Sequence, residues 1–135
     1  MKRGNKIIIG VIIFSATLAL VLLLSFWQGI RDNKTDAYIH SLSKWIELYQ
    51  RSENFYPHSL LDLPLNHELD ENSKQSVKNL LNEIQHNPWH DNYDYNPSTN
   101  GFTIIVTGPA PPPEGWFGKQ RRIEKYFAIG DAFKQ

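Results

Sequence analysis

The chain contains no cysteine. That excludes a lipoprotein anchor, a disulfide framework, a thiol nucleophile and every thiolate zinc or iron–sulfur site. It leaves the compartment open, because a cysteine-free chain suits reducing and oxidising spaces alike. Net charge is absent too, since 14 basic and 14 acidic residues cancel. A general nucleic-acid binder needs a basic face to meet phosphates, so no nucleic-acid partner is expected. No glycine-rich phosphate loop occurs, and Ser41 and Ser59 lack the glycine-flanked elbow of a serine nucleophile. There are no internal repeats.

What is present is unevenly spread. Ile7 to Trp27 is a 21-residue stretch without a charge, and it holds 17 of the 55 apolar residues. As a helix rising about 1.5 Å per residue it would reach roughly 31 Å, the thickness of a bilayer's hydrocarbon layer. A cleaved signal peptide is the rival reading. Its apolar region is usually about 7–15 residues and ends in a small-x-small site. This run is longer and ends in Ser25-Phe26-Trp27-Gln28. An uncleaved anchor bounded by Ile7 and Trp27 is therefore expected, with the indole of Trp27 suited to the membrane–water interface. Lys2, Arg3 and Lys6 precede the run, whereas Arg31, Asp32, Lys34 and Asp36 after it cancel. The positive-inside rule then assigns residues 1–6 to the cytoplasm, 7–27 to the membrane and 28–135 to an extracytoplasmic domain.

The period of the remaining residues suggests its architecture. Tyr38, Leu42, Trp45 and Tyr49, widened by Ile39, Ile46 and Leu48, form an apolar stripe that predicts a helix from Thr35 to about Asn54. Phe55-Tyr56-Pro57 ends it, because a residue before proline avoids the helical region. His58 to Pro64 reads as a compact turn. A second helix is expected from Asn72 or Ser73 to Gln85, with Val77, Leu80, Leu81 and Ile84 inward. Tyr93 and Tyr95, then Phe102, Ile104 and Val106, alternate with polar or outward residues around a six-residue loop, Asn96 to Gly101. That is a hairpin pattern. A proline-rich connection, Gly108 to Gly115, leads to a third strand over Arg122–Ile129, whose alternation is untidy. The expected fold class is α+β: a long N-terminal helix, transmembrane then amphipathic, packed on a small three-stranded antiparallel sheet.

On these residues the chain resembles the type IV pilin and type II secretion pseudopilin group, the major pseudopilin in particular. The matching stretches are Tyr56-Pro57-x-Ser59-Leu60-x-Asp62-Leu63, Asn87-Pro88-Trp89-His90-Asp91-Asn92-Tyr93-Asp94-Tyr95 and Gly101-Phe102-Thr103-Ile104. The resemblance implies a pilin-like fold and a structural role alongside other pilin-like or secretion-system proteins. Two departures qualify it. Processed members carry a glycine before the cleavage point and a glutamate five residues later; Gly4 could stand for the first, but Ile9 occupies the second position. The family's calcium-binding loop corresponds to Pro109–Arg122, where Glu114 is the sole carboxylate. The residues therefore imply a permanent anchor, not cut after Gly4, and no metal.

Other candidates weigh less. His86 and His90 stand four apart, but Pro88 breaks the helix that would let them share a metal. Glu68, Asp70 and Glu71 suit the positive end of a helix dipole better than an acid/base pair. Trp45 and Trp89 are expected in the core. Trp116-Phe117 follows Pro111, Pro112 and Pro113 and lies between Gly115 and Gly118, so Trp116, Phe117, Pro112 and Pro113 are the candidate partner contact. Lys119, Arg121, Arg122 and Lys125 read as a solvated strand end, with a patch for an acidic partner or anionic lipid as the alternative. No catalytic residue, cofactor or small-molecule substrate is implied. The bilayer is an expected partner. The expected function is a non-enzymatic assembly component in the cytoplasmic (inner) membrane with its domain in the periplasm; a stand-alone binding or adaptor module is the alternative.

Overall fold

The computed structural model describes residues 3–131. Helix α1 runs Arg3–Glu53, followed by a 3-10 helix, Leu60–Leu65, and helix α2, Glu71–Gln85. Strands β1 (Asn92–Ser98), β2 (Gly101–Pro109) and β3 (Gln120–Ala128) complete the chain, with a short 3-10 helix, Glu114–Phe117, between the last two. The chain divides into two compact units, residues 1–34 and 35–135.

In the first unit, α1 is apolar all round from Ile7 to Trp27. Its aliphatic side chains from Ile7 to Leu23 are largely exposed, as are Phe26 and Trp27. Two of the hydroxyls within it are satisfied by the helix itself. Thr17 Oγ1 donates to the Ile13 carbonyl at 2.8 Å and Ser25 Oγ to that of Val21 at 2.9 Å. Such back-bonding removes the cost of bringing a free hydroxyl into hydrocarbon. This helix is long and apolar enough to cross a membrane.

In the second unit, α1 becomes amphipathic. Ile39, Leu42, Ile46 and Tyr49 bury one stripe against Phe102, Ile104 and Val106 of β2 and Phe127 of β3. Val77 and Ile84 of α2, with Leu63 and Tyr56, close the core. Leu48, expected in the stripe, is exposed, because it falls on the flank opposite Ile39 and Ile46. Trp45 packs half-buried against the core. Trp89 corrects the sequence reading: it is half-buried outside the core cluster, in the turn before β1.

The sheet has strand order β1-β2-β3 and is antiparallel throughout. Ser98 pairs with Gly101, so the hairpin turn is two residues, Thr99 and Asn100, rather than six. Asn96 and Pro97 are drawn into β1, which is an edge strand where a proline costs no ladder bond. Gly101 is required there, since a Cβ would lie 2.1 Å from the Phe127 carbonyl oxygen. Register also explains the untidy alternation of β3. Lys125 shares the face of Ile104 and Phe127, but its Nζ reaches Asp36 Oδ1 of α1 at 2.8 Å. A charge turned inward on an edge strand discourages pairing with another sheet.

Candidate functional site

The connection between β2 and β3 is ordered by its own backbone. Ala110 N donates to the Lys119 carbonyl at 2.8 Å, closing the loop at its base. Inside it, Gly115 N donates to the Pro111 carbonyl and Trp116 N to that of Pro113, both at 3.1 Å. The Pro112–Pro113 peptide is cis. Gly118 ends the 3-10 helix with φ 79°, a left-handed cap that favours glycine. Gly115 is forced by proximity: a Cβ there would lie 2.0 Å from the Ala110 carbonyl oxygen. Lys119 and Glu114 form an ion pair across the base.

This compact base presents an apolar tip. Trp116 is 65% exposed and Phe117 86% exposed, and Pro112 and Pro113 are exposed beside them. The structure thus brings together all four residues of the expected contact. Two large rings held in solvent by a hydrogen-bonded loop can make apolar contact with little ordering cost. They offer no proton-transfer or metal-binding group.

The basic cluster has a different fate. Lys119 pairs with Glu114, Arg122 with Glu124 and Lys125 with Asp36. Arg121 lies 3.9 Å from the buried Asp91 carboxylate, and its Nη2 donates to Thr35 Oγ1 at 3.3 Å. Each cation thus has a carboxylate neighbour, so the cluster is a set of ion pairs, exposed except at Arg121, more than an unpaired basic patch.

The remaining candidates resolve as local structure. Asp70 caps α2 by accepting from Ser73 N at 2.8 Å, and hydrogen bonding to Ser73, from its side chain first and then its backbone, holds the Asp70 carboxyl below the usual range. Ser59 and Asp62 form a capping box on the first 3-10 helix. His86 Nδ1 contacts the Asn82 carbonyl at 2.9 Å, and His90 adopts φ 55° in the turn beyond Pro88. Among the described residues no group of three His, Asp or Glu side chains is placed to hold a metal ion.

Three features lay outside the sequence reading. Asn87 is the buried node of the turn before β1. Its Nδ2 donates to the Ile84 and Asp91 carbonyls at 2.7 and 2.9 Å, while Oδ1 accepts from Trp89 N and Asp91 N. An open groove of about 810 Å³ lies among the first 3-10 helix, α2 and β1, lined by His58, Leu61, Lys78, Gln85, Tyr93 and Tyr95. Glu47, only 1% exposed, accepts from Gly130 N at 2.9 Å through Oε1, while Oε2 has no partner. The neighbouring Tyr56 hydroxyl is also unpartnered. Burial first, then the Glu47 charge, pushes the Tyr56 phenol up to about 12. A glutamate on the polar flank of an amphipathic stripe carries no sequence signal of such burial.

No family model, curated protein or solved structure matches this chain.

Proposed function

We propose that this chain is a single-pass, membrane-anchored structural component of a pilin-like or type II secretion-like envelope assembly, without catalytic activity. The observation that carries the reading is one helix that is uncharged and apolar through Ile7–Trp27 and amphipathic through the α+β domain that follows. A helix joined to a small sheet suits packing against copies or partner subunits. The charge asymmetry around the span supports a cytoplasmic N-terminus and an extracytoplasmic domain. Dispersed titratable residues and a solely apolar exposed tip support a contact role over a reaction.

A second reading, a stand-alone anchored adaptor, is favoured by the exposure of Trp116 and Phe117. Two measurements test these readings. A cysteine at Asn100, in the hairpin turn, should react with a membrane-impermeant thiol reagent in intact spheroplasts; labelling only after lysis refutes the orientation. Cross-linking the full chain in its native membrane should then yield adducts with itself or with other single-span pilin-like subunits. Adducts only with proteins of other architecture would replace assembly by the adaptor reading.

A further inference from the structure

The Trp116–Phe117 tip occupies a particular end of the domain. Thr35 is the first residue of the second unit, and β3 begins beside it, with Arg121 Nη2 on Thr35 Oγ1 at 3.3 Å. The loop immediately precedes β3. Asn92, which opens β1, pairs with Thr107 near the end of β2. The two turns bearing tryptophan, 87–91 and 110–119, therefore share the end at which the chain enters the domain. The opposite end carries the Thr99–Asn100 turn and the Gly130–Glu47 bond. Along the sequence, Thr35 follows Trp27, the last residue of the apolar run, by eight residues.

We propose that Trp116 and Phe117 insert into the headgroup layer of the bilayer that the apolar helix spans, as a second, peripheral membrane contact. The inference rests on reading that helix as a membrane anchor. Residue chemistry favours lipid over a protein partner. Tryptophan is enriched at membrane–water interfaces, where an apolar ring can keep one edge wet, and phenylalanine is a common apolar partner in interfacial segments. Two aromatic side chains bury roughly 150–250 Å² each, short of the roughly 800 Å² that each partner of a standard protein interface contributes. The same area is useful to a domain tethered to a membrane, because tethering turns the second contact into an intramolecular event. Lipid charge should matter little, since Lys119, Arg121, Arg122 and Lys125 each have a carboxylate neighbour.

The test uses the full chain in phosphatidylcholine vesicles. Because the sequence has no cysteine, single variants Phe117→Cys, Thr99→Cys and Leu18→Cys can each carry a nitroxide without further changes. Collision with oxygen, which favours lipid, is compared with collision with a water-soluble nickel chelate. The ratio at 117 should be severalfold higher than at 99 and below that at 18. Replacing part of the lipid with phosphatidylglycerol should change it by less than that difference. Equal, water-like ratios at 117 and 99, with 18 deep in lipid, would overturn the inference and leave the anchor standing. A water-like ratio at 18 would overturn both. Spin broadening at 117 that grows with protein density, without a gain in oxygen collision, would place a second copy on the tip instead of lipid. The unlabelled chain gives an independent reading: brominated lipid should quench tryptophan emission less in Trp116→Phe, and unchanged quenching would also overturn the proposal.

Discussion

One helix is built on two principles. Between Ile7 and Trp27, α1 is apolar on every side, and the hydroxyls of Thr17 and Ser25 bond to its own backbone. Beyond Thr35 the same helix has one apolar stripe, and that stripe is buried by side chains far away in sequence. A segment apolar all round has no side that needs a particular partner, so composition describes it. An amphipathic segment takes its environment from particular partners, so each position matters individually.

That contrast can be broken with one residue type. Leu42→Ala, in the fully buried stripe, should destabilise the domain by about 2–5 kcal/mol, while Leu22→Ala in the apolar half should leave its melting temperature unchanged. Thermal unfolding of the full chain in detergent, followed by near-ultraviolet dichroism, measures both. Comparable losses would mean that the two halves are not built differently.

A charge reverses the sensitivity. Leu18→Arg, near the middle of the apolar run, should oppose membrane insertion by about 2.5–3.5 kcal/mol. Leu48→Arg, on the exposed flank of the domain half, should leave insertion intact. Resistance to alkaline carbonate extraction reads the difference, and equal retention of the two variants would remove the case for a span.

A smaller effect concerns pH. The Tyr56 phenol is pushed up to about 12 by burial and by Glu47, and burial also raises Tyr95. An unfolded tyrosine ionises near pH 10. The native state therefore holds these protons longer than the unfolded state. Their contribution to stability is complete below about pH 10 and is lost as pH rises through the native value. Denaturant melts between pH 9 and 12 should show this decline, and Tyr56→Phe should flatten it. At neutral pH the substitution should cost little, because it removes a hydroxyl that has no partner. An unaltered alkaline slope would count against a buried, neutral Tyr56.

The least disruptive change falls on the exposed tip. Trp116→Ala should alter domain stability by no more than about 0.5 kcal/mol, as expected of a surface side chain. A loss as large as that of Leu42→Ala would show that the ring is covered.

The apolar run, the stripe of α1, the existence of α2 and the alternation of the strands were legible in the amino-acid order, because each is a local period. The candidate tip was legible as well: three prolines and two flanking glycines mark a loop whatever surrounds it. Legibility ended where an outcome depended on distant partners. Lys125 looks like a break in the pattern of β3 until Asp36, 89 residues earlier, takes its charge. Six residues with turn chemistry became a two-residue turn because pairing with β2 extended β1 through Ser98. Trp45 lies against the core and Trp89 outside it, although both read as equally apolar. Glu47 lies buried and finds its donor in Gly130, 83 residues away. Periodicity is a property of neighbours in sequence and can be counted there. Burial and charge pairing arise from neighbours in space, and these exist only after the strands have found their register on the helix.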